Sequence, residues 1–243
     1  MARWAVVRDG QRSAGQYDAM AVQYTADNAE NACNAHYERP ATISLVGEVE
    51  GRRVLEAGCG AGPRTGGLVD HGAAVTALDV SPVMLQLARE RVGDRAAFVL
   101  ADLADPLPFG PHTTFSLVVA SLVLHYVKDW ETPLAEFRRL LTADGAVVFS
   151  THHPTMDWQL HCPDDYFVVK QVTETWSKGS QDFQVTFWRR PLTAMTAAIA
   201  AAGFVIERVL EPEPSAETRD RDPEAYALLA TQPQFLFFRL RPA

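Results

Sequence analysis

Cysteine, long apolar runs and clustered positive charge are all scarce in this 243-residue sequence. Its three cysteines, Cys33, Cys59 and Cys162, form no C-x-x-C pair, so the spacing indicates neither a disulfide framework nor a metal site. The first fifteen residues contain no apolar core of signal-peptide length, and no later run is long enough to span a bilayer. We therefore expect a cytoplasmic protein with no membrane partner.

The charge balance bears on the partners of the protein. The formal net charge is -8, and Lys and Arg occur together only as isolated pairs such as Arg52–Arg53. A surface of that sign repels phosphate backbones, so we expect no nucleic-acid partner. The 47% hydrophobic and 21% charged content is typical of a globular protein with one large core. A monomer and a homodimer are both compatible with these features.

From Val54 onward, short apolar strands alternate with helical segments. The strands read RRVLEAG, AAVTALDV, AAFVLADL, FSLVVASLVL and AVVFSTHH. Ser81 followed by Pro82 marks the start of one intervening helix, and Gly93 marks its end. Another helix, WETPLAEFRRLLTADG, is predicted to run as far as Gly145. Apolar runs without alternation, separated by helices, indicate a parallel sheet covered on both faces.

The pattern divides the chain into four segments. Residues 1–50 are predicted to be helices that form a lid over the core, and residues 51–154 form the α/β core. Residues 155–191 are predicted to be a cap insertion with a hairpin around SKGSQD. Residues 192–243 return to the core with a helix and two strands, and the intervening EPEPSAETRDRDPEAY is predicted to be a mobile loop.

The turn after the first strand predicts a ligand site, because ligands collect at the carboxyl ends of the strands in such sheets. Gly58, Gly60 and Gly62 stand at alternate positions. A dinucleotide site needs G-x-G-x-x-G/A, but the third position counted from Gly58 is Pro63, and no P-loop lysine follows. Glu56, just ahead of the glycines, would repel a pyrophosphate and favours a positively charged nucleoside.

Two acidic residues at neighbouring strand ends fit the same ligand. Asp79 ends the second strand, where a carboxylate can accept hydrogen bonds from both ribose hydroxyls. Asp102 follows the third strand, where a carboxylate can accept from the amino group of adenine. The pair predicts a nucleoside that contains adenine.

The ordered series VLEAGCGAGPRT, VTALDVSPVMLQLAR, VLADLADPLPF, FSLVVASLVLHYVKDW, LTADGAVVFSTHHP and LTAMTAAIAAAGFVIERVLEP resembles the class I S-adenosylmethionine-dependent methyltransferases. It is most similar to the small-molecule group that includes the ubiquinone/menaquinone-biosynthesis enzymes, over residues 15–242. The resemblance implies a doubly wound, seven-stranded Rossmann-like sheet whose last strand is antiparallel between the fifth and sixth, with N-terminal helices and a small cap insertion. It also implies S-adenosylmethionine as cofactor and methyl transfer to a small organic acceptor.

The same resemblance implies a set of cofactor contacts. Glu56 would lie beneath the methionine part, Ser121 beside it, and Tyr24 and Arg64 against its carboxylate. The full set of expected cofactor-binding residues is Tyr24, Glu56, Gly58, Cys59, Gly60, Gly62, Arg64, Asp79, Val80, Met84, Asp102, Leu103 and Ser121.

Three histidines are candidate general bases, which methyl transfer requires only when the acceptor must lose a proton. They are His125, after the fourth strand, and His152 and His153, at the end of the fifth. Two adjacent strand residues point to opposite faces, so we expect at most one of His152 and His153 to face an acceptor.

The acceptor pocket is expected between the lid and the insertion, whose aromatic residues would supply flat apolar walls. These residues are Trp158, Tyr166, Phe167, Trp176 and Trp188. Two other functions stay open on the sequence alone: an NAD-dependent oxidoreductase, and a methyltransferase-like fold that uses the cofactor for sensing or for non-methyl chemistry.

Overall fold

A computed structural model describes residues 9–178 and 181–243 of the chain. The strands are β1 (Arg53–Ala57), β2 (Ala74–Asp79), β3 (Ala97–Leu100), β4 (Phe115–Ser121), β5 (Leu141–His152), β6 (Lys170–Lys178), β7 (Gln181–Arg189), β8 (Phe204–Leu210) and β9 (Phe235–Pro242). The α-helices are α1 (Asp9–Glu30), α2 (Arg39–Val46), α3 (Pro63–Asp70), α4 (Pro82–Val92), α5 (Glu131–Leu140), α6 (Pro154–His161), α7 (Leu192–Ala201), α8 (Ala216–Arg221) and α9 (Pro223–Leu229). A π-helical turn (Asn34–Glu38) leads directly into α2, and short 3₁₀ turns follow α4 and β4.

The core is a seven-stranded sheet in the order β3-β2-β1-β4-β5-β9-β8. The pairings from β3 to β5 are parallel, whereas β9 is antiparallel to β5 and to β8. The predicted doubly wound sheet, with its last strand antiparallel between the fifth and sixth core strands, is confirmed.

Helices cover both faces of the sheet, as the uninterrupted apolar strands require. Leu55 on β1 and Val118 on β4 belong to a core cluster that includes residues of α5 and α7. Val54 and Val119, their neighbours along the strands, belong to a second cluster with residues of α2, α3 and α4. This arrangement leaves the carboxyl ends of β1, β2 and β4 as one shared edge.

Local signals account for the helix boundaries near that edge. The Ser81 side chain accepts a hydrogen bond from Met84 N at 3.0 Å, which caps α4 as predicted. The helix that was predicted to reach Gly145 is shorter, because α5 ends at Leu140. Leu141 is buried and pairs with Phe115 as the first residue of β5, so strand pairing displaces the last helical turn.

The segment predicted to be a mobile loop before the last strand contains α8 and α9, so that prediction was wrong. The Ser215 hydroxyl accepts from Thr218 N at 3.3 Å, and Asp222 accepts from Ala225 N at 2.9 Å. Each side chain caps the start of one short helix. The polar and proline residues that suggested a loop are therefore helix-start residues.

The predicted hairpin is β6 paired antiparallel with β7. Two residues of its SKGSQD turn, 179 and 180, and residues 1–8 of the predicted lid lie outside the described residues. The Gln16 side chain joins α1 to the hairpin, since its carbonyl accepts from Thr186 N at 2.7 Å. Helix α1 also contacts α4 through the Asp18 carboxylate, which accepts from the Ser81 hydroxyl at 2.5 Å.

No helix within the described ranges is both long and apolar enough to cross a bilayer.

Candidate functional site

A cavity of about 320 Å³ lies at the carboxyl ends of β1, β2 and β4, beneath α1. Its volume is in the range of ordinary small-molecule pockets. Most of the residues predicted to bind the cofactor line it: Tyr24, Gly58, Cys59, Gly60, Arg64, Asp79, Val80, Asp102, Leu103 and Ser121. The fold thus brings together positions that are almost 100 residues apart in the sequence.

The glycine turn forms one wall of this cavity. Gly58 N and Cys59 N both donate to the carbonyl of Leu78, at 2.8 and 3.0 Å, which ties the turn to β2. Gly58 and Gly60 have φ angles of +75° and +53°, in the left-handed region that favours glycine. A Cβ at Gly60 would meet no atom within 4 Å, so the backbone at this point borders open space.

Asp79 is fixed between the glycine turn and α4. One carboxylate oxygen accepts from Gly60 N at 2.8 Å, and the other accepts from Ser81 N at 2.9 Å. Burial raises the pKa of this carboxyl, and the backbone donors counteract that rise. An ionised carboxylate has about four acceptor sites, so Asp79 retains capacity for ribose hydroxyls.

Asp102 stands at the other end of the cavity, where α1 begins. One carboxylate oxygen accepts from Ala104 N at 2.9 Å. The other lies so close to Gly10 that a Cβ added to this glycine would be 1.6 Å from it. The first turn of α1 therefore covers the end of the cavity at which adenine is expected.

Three of the predicted contacts lie behind the cavity wall. Glu56 is fully buried; the Thr65 hydroxyl donates to it at 2.5 Å, and burial raises the pKa of its carboxyl. Gly62 packs against Ala88, whose Cβ would be 3.1 Å from a Cβ at that glycine. Met84 is buried among residues of α1, the glycine turn and α4.

Arg64 lies between two buried carboxylates. Its Nη2 donates to Glu38 Oε2 at 2.7 Å, and its Nη1 is 3.6 Å from Glu56 Oε1. The other oxygen of Glu38 accepts from the hydroxyls of Thr42 and Ser150, both at 2.7 Å. Glu38, which lines the cavity, thus joins the N-terminal segment to α3 and to β5.

Tyrosines close the cavity on the side of the hairpin. The hydroxyls of Tyr17 and Tyr126 are 2.7 Å apart, and both residues line the cavity together with Tyr24. Burial raises the pKa of all three phenols, so they are neutral donors and acceptors at physiological pH.

None of the three candidate histidines is among the residues that line the cavity. His153 Nδ1 accepts from Thr155 N at 3.2 Å, which caps α6, and its Nε2 is 2.8 Å from Glu211. His152 and His153 therefore have separate partners, as their alternation along the strand requires. A catalytic role for His153 stays a prediction.

His125 and His152 form a buried pair behind the cavity wall. Their rings stack with centroids 3.9 Å apart, and His152 Nδ1 is 3.3 Å from a carboxylate oxygen of Asp157 on α6. Burial, and then the neighbouring His152, lower the pKa of His125 well below its usual value. A general-base role for either histidine stays a prediction.

The space in which the acceptor was expected is filled with side chains. Met20 of α1 packs against Tyr126 and three hairpin residues, Val172, Val185 and Phe187. No described residue of the 155–191 insertion lines the cavity. Of the aromatic residues expected to line the pocket, Trp158 contacts Tyr166, Trp176 stacks on Tyr24 of the lid, and Trp188 lies beneath the ammonium of Lys128.

Sequence reasoning missed several residues of the cavity wall, among them Glu38, Arg39 and Tyr126. Glu38 and Arg39 lie within a helical stretch whose charge pattern is that of a solvated face, so no local signal marked them.

Within the described ranges, no group of three or more His, Cys, Asp or Glu residues could hold a metal ion.

Comparison with known proteins finds similarity to methyltransferases, as the motifs did. Residues 55–149 match the family model described as "Methyltransferase domain". The chain is 41% identical over 110 residues to a malonyl-[acyl-carrier protein] O-methyltransferase of Halorhodospira halophila, covering 44% of this chain and 37% of the relative. It is 35% identical over 150 residues to a demethylmenaquinone methyltransferase of Clavibacter sepedonicus, covering 59% and 60% of the two chains. The chain therefore spans less than two thirds of the length of these relatives.

A solved structure extends the similarity to most of the fold. The crystal structure of an S-adenosylmethionine-dependent methyltransferase from Mesorhizobium loti superposes with a TM-score of 0.65 at 27% identity. The match covers 84% of this chain and 97% of that one.

Proposed function

We propose that the chain is a class I S-adenosylmethionine-dependent methyltransferase, as its motifs predicted, and that it transfers a methyl group from this cofactor to a small organic acceptor. The match of residues 55–149 to a methyltransferase domain and the similarity to a solved methyltransferase structure support this proposal. The observation that carries the proposal is the cavity at the sheet edge. It joins a glycine turn that borders open space to Asp79 and Asp102 on the two neighbouring strand ends.

The residues present fit this cofactor chemically. Gly60 leaves room for a ligand against the backbone, and Asp79 has acceptor capacity for two ribose hydroxyls. Asp102 lines the same cavity, where its carboxylate would accept from the amino group of adenine. We propose the remaining predicted residues as contacts or supports, with Glu56, Gly62 and Met84 acting from behind the wall.

The cofactor supplies a methyl group already activated by the positive charge on sulfur. The protein then has to hold the acceptor, the methyl carbon and sulfur in line, and orientation of this kind can contribute about 7–11 kcal/mol in favourable cases. The net charge of -8 supports an acceptor other than nucleic acid. The names of the relatives support acceptors such as quinone precursors or acyl groups on a carrier.

We propose that the segments 1–50, 51–154, 155–191 and 192–243 act as lid, core, cap and returning core. The acceptor would then approach between lid and cap, which requires the packed Met20 and Phe187 side chains to separate. If the acceptor must lose a proton, His152 and His153 are candidate bases that each lie next to a carboxylate, Asp157 and Glu211 respectively. A cytoplasmic location stays a prediction from the sequence.

Turnover with labelled cofactor tests the proposal. The protein is incubated with S-adenosylmethionine carrying an isotopically labelled methyl group and with acceptors of several chemical classes, and the products are identified by mass. Label in a small molecule would support the proposal. Label only in protein or RNA would contradict the acceptor class, and cofactor binding with no S-adenosylhomocysteine produced would favour a sensing role.

A further inference from the structure

Phe187, on β7, is enclosed by three imidazole rings. Its ring meets that of His152 edge to face, with centroids 4.6 Å apart, and those of His125 and His161 at 5.9 and 5.8 Å. The Phe187 side chain is buried. Aliphatic neighbours would bury a phenylalanine without the cost of burying polar ring nitrogens, so packing alone does not explain this choice of residues.

The arrangement of these imidazoles suits a ligand that donates a hydrogen bond. His152 Nδ1 lies 3.3 Å from Asp157 Oδ1, and this carboxylate favours the tautomer with the proton on Nδ1. In that tautomer Nε2 is the hydrogen-bond acceptor. The His125 ring stacks on His152 with an angle of 24° between the planes, which fixes the orientation of the acceptor nitrogen.

The buried charges beside the imidazoles are opposite in sign. Arg190 donates to the carbonyl of Val127 at 2.7 Å, and its guanidinium lies 4.3 Å from the centroid of the Trp130 ring. Desolvation lowers the pKa of Arg190 to about 10, and Asp157 is among the carboxylates that counteract this shift. One buried cation and one buried anion favour neither sign of charge in a ligand, so an uncharged ligand fits this environment.

The position of Phe187 allows its ring to leave. The hairpin of β6 and β7 is a two-stranded sheet separate from the main sheet, so it can move without breaking the pairing of the core strands. Tyr126, which follows His125 in the chain, packs in the same cluster as Phe187 and also lines the cavity at the sheet edge. The space that Phe187 fills is therefore next to the wall of that cavity.

We infer that Phe187 occupies the subsite for an aromatic ring of the acceptor, and that the acceptor is an uncharged hydroxylated aromatic compound. Its ring takes the place of Phe187 among the imidazoles, and its hydroxyl donates to His152 Nε2. Asp157 is then a positioning residue that orients His152. The inference rests on the proposed function and adds to it the chemical class of the acceptor.

Two ring-sized probes, phenol and toluene, test this subsite by calorimetry in the presence of S-adenosylhomocysteine. Phe187→Ala vacates the space of one ring, so this variant should bind phenol about tenfold more tightly than the wild-type protein, in which Phe187 must first leave. It should also prefer phenol to toluene by about tenfold, the usual effect of one hydrogen bond. A cavity with no polar partner would have the opposite preference, because a buried hydroxyl without a partner is costly.

Two further variants assign the preference to His152. Phe187→Ala combined with His152→Leu should prefer toluene, since the acceptor nitrogen is gone. Phe149→Ala is the matched control, because Phe149 is also fully buried but its ring contacts Trp130 and Phe238, away from the imidazoles. It should likewise prefer toluene. Thermal unfolding of each variant checks that it is folded, and Phe187→Leu takes the place of Phe187→Ala if the latter does not fold.

The outcomes separate this inference from the proposed function. A preference for toluene in the Phe187 variant would overturn the inference, as would a preference for phenol that survives the loss of His152. Binding of S-adenosylhomocysteine with no binding of either probe to the Phe187 variant would also overturn it, and would leave the proposed function intact. If the wild-type protein did not bind S-adenosylhomocysteine, the proposed function itself would fail.

Discussion

Asp79 and Gly60 are joined across the sheet edge by a hydrogen bond of 2.8 Å from the Gly60 amide to the Asp79 carboxylate. The bond holds the first strand's turn against the end of the second strand. The residue expected to bind ribose therefore also fixes the backbone over which the cofactor would lie. This coupling is a form of preorganisation, which lowers the cost of binding.

The open space beside Gly60 leads to the first prediction. Gly60→Ala should place a methyl group in the cavity and abolish measurable binding of S-adenosylhomocysteine by calorimetry. Gly203→Ala is the matched control, because Gly203 also has a positive φ and a Cβ added there would meet no atom within 4 Å, but it lies outside the cavity. Both alanines carry a backbone strain of about 1–2 kcal/mol. Equal affinities in the two variants would contradict the placement of the ligand.

The contact between Gly10 and Asp102 leads to the second prediction. Gly10→Ala should force α1 away from Asp102, at a cost of about 1–3 kcal/mol for overpacking. We expect faster proteolysis within α1 and weaker binding of S-adenosylhomocysteine, because the lid no longer closes over the cavity.

Gly15→Ala is the control within the same helix, since a Cβ there meets nothing within 4 Å. It should stabilise α1 by about 0.5–1 kcal/mol through helix propensity alone. The lid assignment would be wrong if both variants had the same rate of proteolysis and the same affinity for S-adenosylhomocysteine as the wild-type protein.

The buried histidine pair leads to a prediction about pH. Burial lowers the pKa of His125, so the folded protein keeps this ring neutral while the unfolded chain takes up a proton. The free energy of unfolding should therefore fall as the pH drops below about 6.5, by up to about 1.4 kcal/mol per pH unit from this group. This loss continues until the pH reaches the lowered pKa of the folded state.

His125→Gln should flatten that dependence in denaturation experiments between about pH 7 and pH 5. His112→Gln, which changes an exposed histidine, should keep the slope of the wild-type protein. An unchanged slope in His125→Gln would show that His125 takes up protons equally in the folded and the unfolded protein, and would contradict the prediction.

The sequence was sufficient for the sheet and for the glycine turn because their signals are local. The apolar run around Val118 requires burial on both faces, and Ser81 and Gly93 mark the ends of α4 within a single helix. The family resemblance supplied what these signals do not contain, namely the antiparallel position of β9.

The partners of Arg64 could not be predicted in this way. Its hydrogen bond to Glu38 joins residues 26 positions apart, and it depends on how the N-terminal segment docks on the sheet. The same holds for the stacking of His125 on His152, which follows from the adjacency of β4 and β5 and from the turn after β4. Side-chain convergence of this kind is a property of packing, and local propensity does not encode it.

The most direct measurement is calorimetric binding of S-adenosylhomocysteine to the wild-type protein and to Asp79→Ala. Asp79→Asn keeps the shape of the side chain and removes its charge. Thermal unfolding of each variant would show that it is folded. Asp94→Ala is the control for loss of an exposed carboxylate. We expect one site in the wild-type protein and a loss of affinity of about a hundredfold in Asp79→Ala, from two lost hydrogen bonds to a charged group. Equal affinity in the two proteins would show that the nucleoside binds elsewhere, and would contradict the binding of ribose by Asp79.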